Sequence, residues 1–351
     1  VFGVAECDVV RTRPGSGAGF LWRRRHQPKR LIRPERLPVQ PLTSPIVQTI
    51  PLPRAAKSTP RRRDWLPIVL VAPMVVGLAA FALYPLLYLV ALSASESLLG
   101  KTFQTWVGFD NFAQALGDKV YTDALLRSAL FAIPVSLVEL VFGVAIALLL
   151  VGFVRAGGPL RTLILLPLMT PPIVVATAWK LIFNPTGGLL NGVLLDLGLI
   201  DRPVSYLGQS PWAFVSIAVA DAWQWTPFVA LLAFAALVSL PAETNEAALT
   251  DGASGWRAFW TISLPMVGPA LAAIFLLKVI IAFKTFDLVY ALTFGGPGFD
   301  TNMGTFQIFR VALREFNVGY GAAQTLLFGL LVGLATLPIV LLRDKLVEAT
   351  A

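Results

Sequence analysis

The sequence predicts an all-α integral membrane protein, and three observations carry the prediction. Apolar residues make up 56% of the 351-residue chain and charged residues 14%. With a mean hydropathy of +0.73, that is more apolar surface than a soluble fold can bury. Six stretches reach the roughly 20 apolar residues that cross a bilayer. The basic residues are also unevenly spread: residues 1–64 hold 14 Lys/Arg against 4 Asp/Glu, whereas the rest of the chain is slightly acidic.

Residues 1–64 mix Pro, Gly and Arg, with clusters at Arg23–Arg25 and Arg61–Arg63 and no sustained periodicity. Such composition predicts a disordered, solvated tail. Pro28, Pro34, Pro38 and Pro41 interrupt its basic runs, so the expected partner is anionic lipid and not nucleic acid. Cys7 and His26, the only residues of their kinds, both lie there. Residues 65–351 therefore have no Cys/His metal site and no thiol or imidazole catalyst.

The spans are placed at Trp65–Ser93, Ala124–Phe153, Leu160–Phe183, Trp212–Ser239, Leu264–Asp287 and Ala322–Leu342. Arg61–Arg63, Arg155, Arg161, Arg257, Arg343 and Lys345 all flank these spans on one side, which the positive-inside rule makes cytoplasmic. Both termini are then cytoplasmic in a multi-pass protein. Pro73, Pro85, Pro134, Pro171, Pro172 and Pro227 lie inside spans, where they permit kinks supported by neighbouring helices. Gly329 and Gly333 form a small-residue pair suited to close helix contact.

Between the fourth and fifth spans lies a polar insert, residues 240–263. Pro241 can open a helix whose first turns carry Glu243 and Glu246, favourably placed at the positive end of the helix dipole. Gly252 supplies a turn where a side chain would obstruct the backbone, and Ser254 can cap a second short helix. The insert is thus expected to be a cytoplasmic helix-turn-helix.

Within it, Glu246-Ala247-Ala248 is followed by Gly252 and then by Ile262-Ser263-Leu264-Pro265. This pattern resembles the EAA loop of permease subunits in bacterial ATP-binding cassette (ABC) importers. Asp251-Gly252-Ala253, Phe259 and Leu264-Pro265 are similar to the carbohydrate-uptake branch, the maltose and glycerol-phosphate type. Tyr84-Pro85, Gly108-Phe109-Asp110-Asn111-Phe112, Phe183-Asn184-Pro185 and Phe286-Asp287 with Gly295-Gly296-Pro297 agree in order.

The resemblance implies the type I importer permease fold, six transmembrane helices with a cytoplasmic coupling helix, in the bacterial cytoplasmic membrane. It implies a second related permease, an ATPase dimer and an extracytoplasmic solute-binding protein as partners. It also implies that Glu246, Ala247, Ala248, Asp251, Gly252, Ala253, Phe259, Leu264 and Pro265 serve ATPase coupling. The permease would be non-catalytic and hold no cofactor, ATP and Mg being bound by the partner ATPase. Gly100-Lys101-Thr102 is no phosphate loop, because Ser95 stands where its first Gly should be.

Polar residues inside spans are costly and point to function. In the fourth span Asp221, Gln224, Trp225 and Phe228 share one helical face, offering hydrogen-bonding groups for sugar hydroxyls and rings for the apolar faces of a pyranose. Lys278, Ile281, Ala282 and Thr285 repeat the spacing in the fifth. The resemblance carries sugar contacts onto Asp221, Gln224, Trp225, Phe228, Lys278, Ala282, Thr285 and Asp287. Asp221 and Lys278, however, stand where the maltose transporter has uncharged polar residues. They either contact substrate or pair with each other. Lys284 and Asp287 read as a local pair, and Glu139 as facing a subunit interface or a cavity.

The expected function is ATP-driven import of a sugar or polyol-type solute by alternating access. An ion-coupled secondary transporter is the alternative, although no internal repeat supports it, and an intramembrane aspartyl enzyme using Asp221 and Asp287 is a more distant one. Two carboxylates near the path favour neutral sugars over anions, with Lys278 acting in the opposite sense.

Overall fold

The computed structural model describes residues 65–152 and 158–350; the expectation of a disordered tail lies outside them. The chain runs through α1 (Trp65–Ser93), the strands β1 (Ser95–Leu98) and β2 (Lys101–Trp106), α2 (Asp110–Gly117), α3 (Lys119–Gly152) and α4 (Gly158–Met169). It continues through α5 (Pro172–Ile182), α6 (Leu189–Asp196), α7 (Trp212–Val238), α8 (Ala242–Thr250) and α9 (Gly255–Ala258). The last elements are α10 (Leu264–Phe283), α11 (Gly304–Phe309) and α12 (Val318–Thr350). A π-helical turn, Phe259–Ser263, joins α9 to α10.

Five helices are long and apolar enough to cross a membrane, and a bent pair brings the number to six. That pair corrects the expected continuous third span. Thr162–Met169 and Pro172–Ile182 meet at 96°. Two successive prolines offer no N–H to continue the helix and force the residue before each into an extended conformation. Pro171 has ψ 137°.

The β1–β2 pair, antiparallel with Leu98 opposite Lys101, is the one sheet among the described residues. Gly100-Lys101-Thr102 falls at its turn, with Gly100 at φ +88°, and not between a strand and a helix.

Helix α3 is the axis of the packing. Toward one end Phe131 and Val135 meet Ile217 and Ala220 of α7, Val175 of α5 and Phe306 of α11. Toward the other, Ala147 and Leu150 meet Val229 and Phe234 of α7 and Leu271 of α10. On a third side Ala132 packs with Val279 and Phe283 of α10 and Phe328 of α12.

Lipid is as apolar as these side chains, so helix association depends on close van der Waals approach. Gly143 marks one such approach, between α3 and α7: a Cβ there would lie 2.6 Å from Cγ1 of Val229. The contact expected of Gly329 and Gly333 is not made among the described residues, since a Cβ at either meets nothing within 4 Å there. Both face outward on α12.

Candidate solute pathway and coupling loop

A pocket of about 260 Å³ opens where the broken third span meets α7 and α10, lined by Pro172, Asp221, Gln224, Trp225, Thr285 and Asp287 among others. Asp221, Gln224 and Trp225 reach it together because positions three and four apart share a helix face. Gln224 also repairs the break: its Nε2 donates to the carbonyl of Thr170 at 3.1 Å, a group that loses its helical partner there. Its Oε1 is buried without a hydrogen-bond partner.

Behind the pocket sits a charge cluster. Lys278 Nζ donates to Asp221 Oδ2 at 2.7 Å and lies 3.1 Å from Glu139 Oε2. Relative exposures are 1% for Asp221 and 0% for Lys278 and Glu139. Thr285 Oγ1 donates to the other Asp221 oxygen at 3.4 Å, and the ammonium lies 5.4 Å from the centre of the Trp225 ring.

Helices α3, α7 and α10 each contribute one ionisable side chain, at a level between the two apolar clusters that flank α3. A buried charge is tolerated only when paired, so Asp221 and Lys278 hold each other. Asp221 reaches the pocket; Lys278 does not line it.

Glu139 departs from expectation. It faces neither a subunit interface nor a cavity but the ammonium of Lys278, inside the chain's own core. Its only helical-spacing polar neighbour in sequence is Ser136, and the partner lies three spans further on, so no local signal could have found it. Phe228 packs edge-on against Trp225 at 5.9 Å and joins the apolar contacts of α3, α7 and α10. Ala282 is buried with Val279, Phe283 and Phe328. Thr285 and Asp287 line the pocket, as does Lys284. Lys284 and Asp287 do not pair; among the described residues the ion pairs are those of Asp123, Glu139, Asp221 and Glu315.

The insert between α7 and α10 is built from local rules. Helix α8 ends where Ala253 N–H donates to Ala248 C=O at 3.0 Å across Gly252 at φ +76°. These are the marks of a Schellman termination. A Cβ at Gly252 would meet nothing within 4 Å; the left-handed backbone, not crowding, favours glycine there. Ser254 Oγ then caps α9 by accepting from Arg257 N–H at 3.3 Å.

Ala248 and Phe259 are buried, while Glu246, Asp251 and Gly252 are exposed. The Phe259 ring packs against Trp256 and Trp260 at 6.1 and 5.4 Å. Ala247 lies within α8, Ala253 is half-buried, and Leu264-Pro265 open α10.

Residues 139–350 match the family model of the binding-protein-dependent transport system inner membrane component. The chain belongs to that family. This inner membrane component is 32% identical over 259 residues to the trehalose/maltose transport system permease protein MalF of Thermococcus litoralis, covering 74% of this chain and 86% of that protein. It is 32% identical to the trehalose transport system permease protein SugA of Mycobacterium tuberculosis, with 75% and 84% covered. With the sn-glycerol-3-phosphate permease protein UgpA of Agrobacterium fabrum it shares 29% identity, with 76% and 90% covered.

A crystal structure of a bacterial ABC transporter that imports the acidic polysaccharide alginate contains a chain of the same fold. The TM-score is 0.66 at 20% identity, over 81% of this chain and 96% of that one. The type I importer permease fold follows, while the family and the curated relatives give the role of a membrane-spanning permease subunit of an ABC importer. Neither fold nor relatives support the ion-coupled alternative.

Proposed function

We propose that this permease passes a neutral sugar or polyol through the pocket at the broken third span. The observation that carries the reading is convergence: a carboxylate, an amide and an indole from α7 and a hydroxyl from the segment after α10 line one opening beside Pro172 of α5, in an otherwise apolar bundle. Discontinuous helices characteristically surround transport sites, because irregular backbone is tolerated at membrane depth only where it lines a cavity or is buried in protein. The relatives named for trehalose and maltose support the solute class. Asp221 would accept from sugar hydroxyls while Lys278 neutralises it from behind, and Trp225 would offer its ring.

In this reading Glu246, Asp251 and the α8–α9 turn dock in an ATPase subunit that binds ATP and Mg. A second permease completes the pathway, a solute-binding protein delivers cargo, and both termini are cytoplasmic. ATP and the loaded binding protein favour the outward-facing state, and hydrolysis resets it.

The test is uptake in vesicles containing the assembled transporter. Uptake of the sugar carried by its binding protein should require ATP and survive an uncoupler; abolition by the uncoupler at constant ATP would disprove the reading. Trp225→Ala should lower uptake about tenfold, equivalent to ~1.4 kcal/mol of one aromatic contact, with ATPase assembly unchanged.

A further inference from the structure

We propose that the outer face of α3, α10 and α12 holds one anionic phospholipid, its acyl chains in an apolar groove and its headgroup between Arg343 and Lys345. Two adjoining grooves, of about 600 and 310 Å³, share Leu140, Leu264 and Leu271 and are lined almost wholly by apolar side chains. Their α3 lining runs from Leu137 to Leu148, roughly 17 Å of helix and close to the ~15 Å depth of one leaflet. Trp256 and Trp260 stand beside the second groove, at the end of the bundle that carries α8 and α9. Amphipathic indoles characteristically mark the headgroup level.

The charge pattern of α12 selects the occupant. Ile339, Leu342 and Leu346 face the groove. At about 100° per residue, Arg343 lies about 70° to one side of that stripe and Lys345 about 90° to the other. Asp344 and Glu348 fall about 150–170° away, on the opposite face. Arg343 and Lys345 are exposed, and neither has an ion-pair partner among the described residues. Two unpaired cations therefore flank the groove mouth while the acidic residues point away from it. An anionic headgroup complements that arrangement.

The assembled transporter, reconstituted in equal parts phosphatidylcholine and phosphatidylglycerol and then extracted, should retain one phosphatidylglycerol per permease chain in native mass spectrometry. Arg343→Gln with Lys345→Gln should reduce that retention roughly tenfold, since each basic residue near the surface contributes to anionic-lipid attraction, and should leave phosphatidylcholine unaffected. Gly268→Leu should displace both lipids. A Cβ at Gly268 meets only Leu346 Cδ1, at 3.9 Å, so the larger side chain enters the groove without disturbing the backbone. Equal retention of the two lipids by the unaltered protein would overturn the proposal, as would unchanged phosphatidylglycerol in the double variant. So would cross-linking of Leu342→Cys to the second permease, which would put a subunit where the lipid is placed.

Discussion

The charge cluster beneath the pocket and the turn between α8 and α9 are built on opposite principles. The cluster joins Glu139, Asp221 and Lys278, residues from three helices far apart in sequence, in the buried interior of the chain. The turn is assembled within a dozen residues by a Schellman bond, one left-handed glycine and a serine cap, with its acidic side chains in water. The first should fail through electrostatics and the second through backbone geometry, so substitutions can separate them.

The largest effect is expected from Lys278→Met. Two buried carboxylic side chains would lose their only ion-pair partner among the described residues, and breaking a buried pair typically costs about 3–5 kcal/mol. A thermal-shift measurement on the assembled transporter should show a clear loss of stability. A melting temperature equal to that of the unaltered protein would mean that the cluster does not tie the helices together.

Next comes Gly252→Val, which places a β-branched residue at φ +76°. The strain is on the order of 1–2 kcal/mol, local to the insert. ATP hydrolysis should become uncoupled from uptake while the fold persists. Intact coupling would remove this turn from the docking role.

The smallest effect is expected from Glu139→Gln. It removes one of two carboxylates from a single ammonium and leaves the balanced pair of Asp221 and Lys278, so stability should stay within about 1 kcal/mol of the unaltered protein or improve. A loss comparable to that of Lys278→Met would show that the ammonium depends on Glu139 and not chiefly on Asp221.

The same contrast explains what could be read in the sequence. Most span positions were legible because apolar length is a local property. So was the α8–α9 turn, because its proline, glycine and serine each act within a few residues. Asp221, Gln224 and Trp225 were placed on one face by periodicity alone. Glu139 was not understood, because its partner comes from another helix and periodicity carries no information about which helices meet.

The third span was misread for a different reason. Its apolarity argued for continuity, and the Pro171-Pro172 step was given the weight of a kink when two adjacent prolines amount to a break. Ala282 and Phe228 share a helical face with pocket residues, yet such a face is broad enough to serve both a cavity and a packed core.

That break bears on how the protein is made. Helices of 12 and 11 residues are each too short to cross a hydrocarbon layer about 30 Å thick. The carbonyl of Thr170 between them finds its donor on Gln224, which leaves the ribosome later. Until α7 is in place that hydrogen bond cannot form, so the finished break depends on a helix made after it.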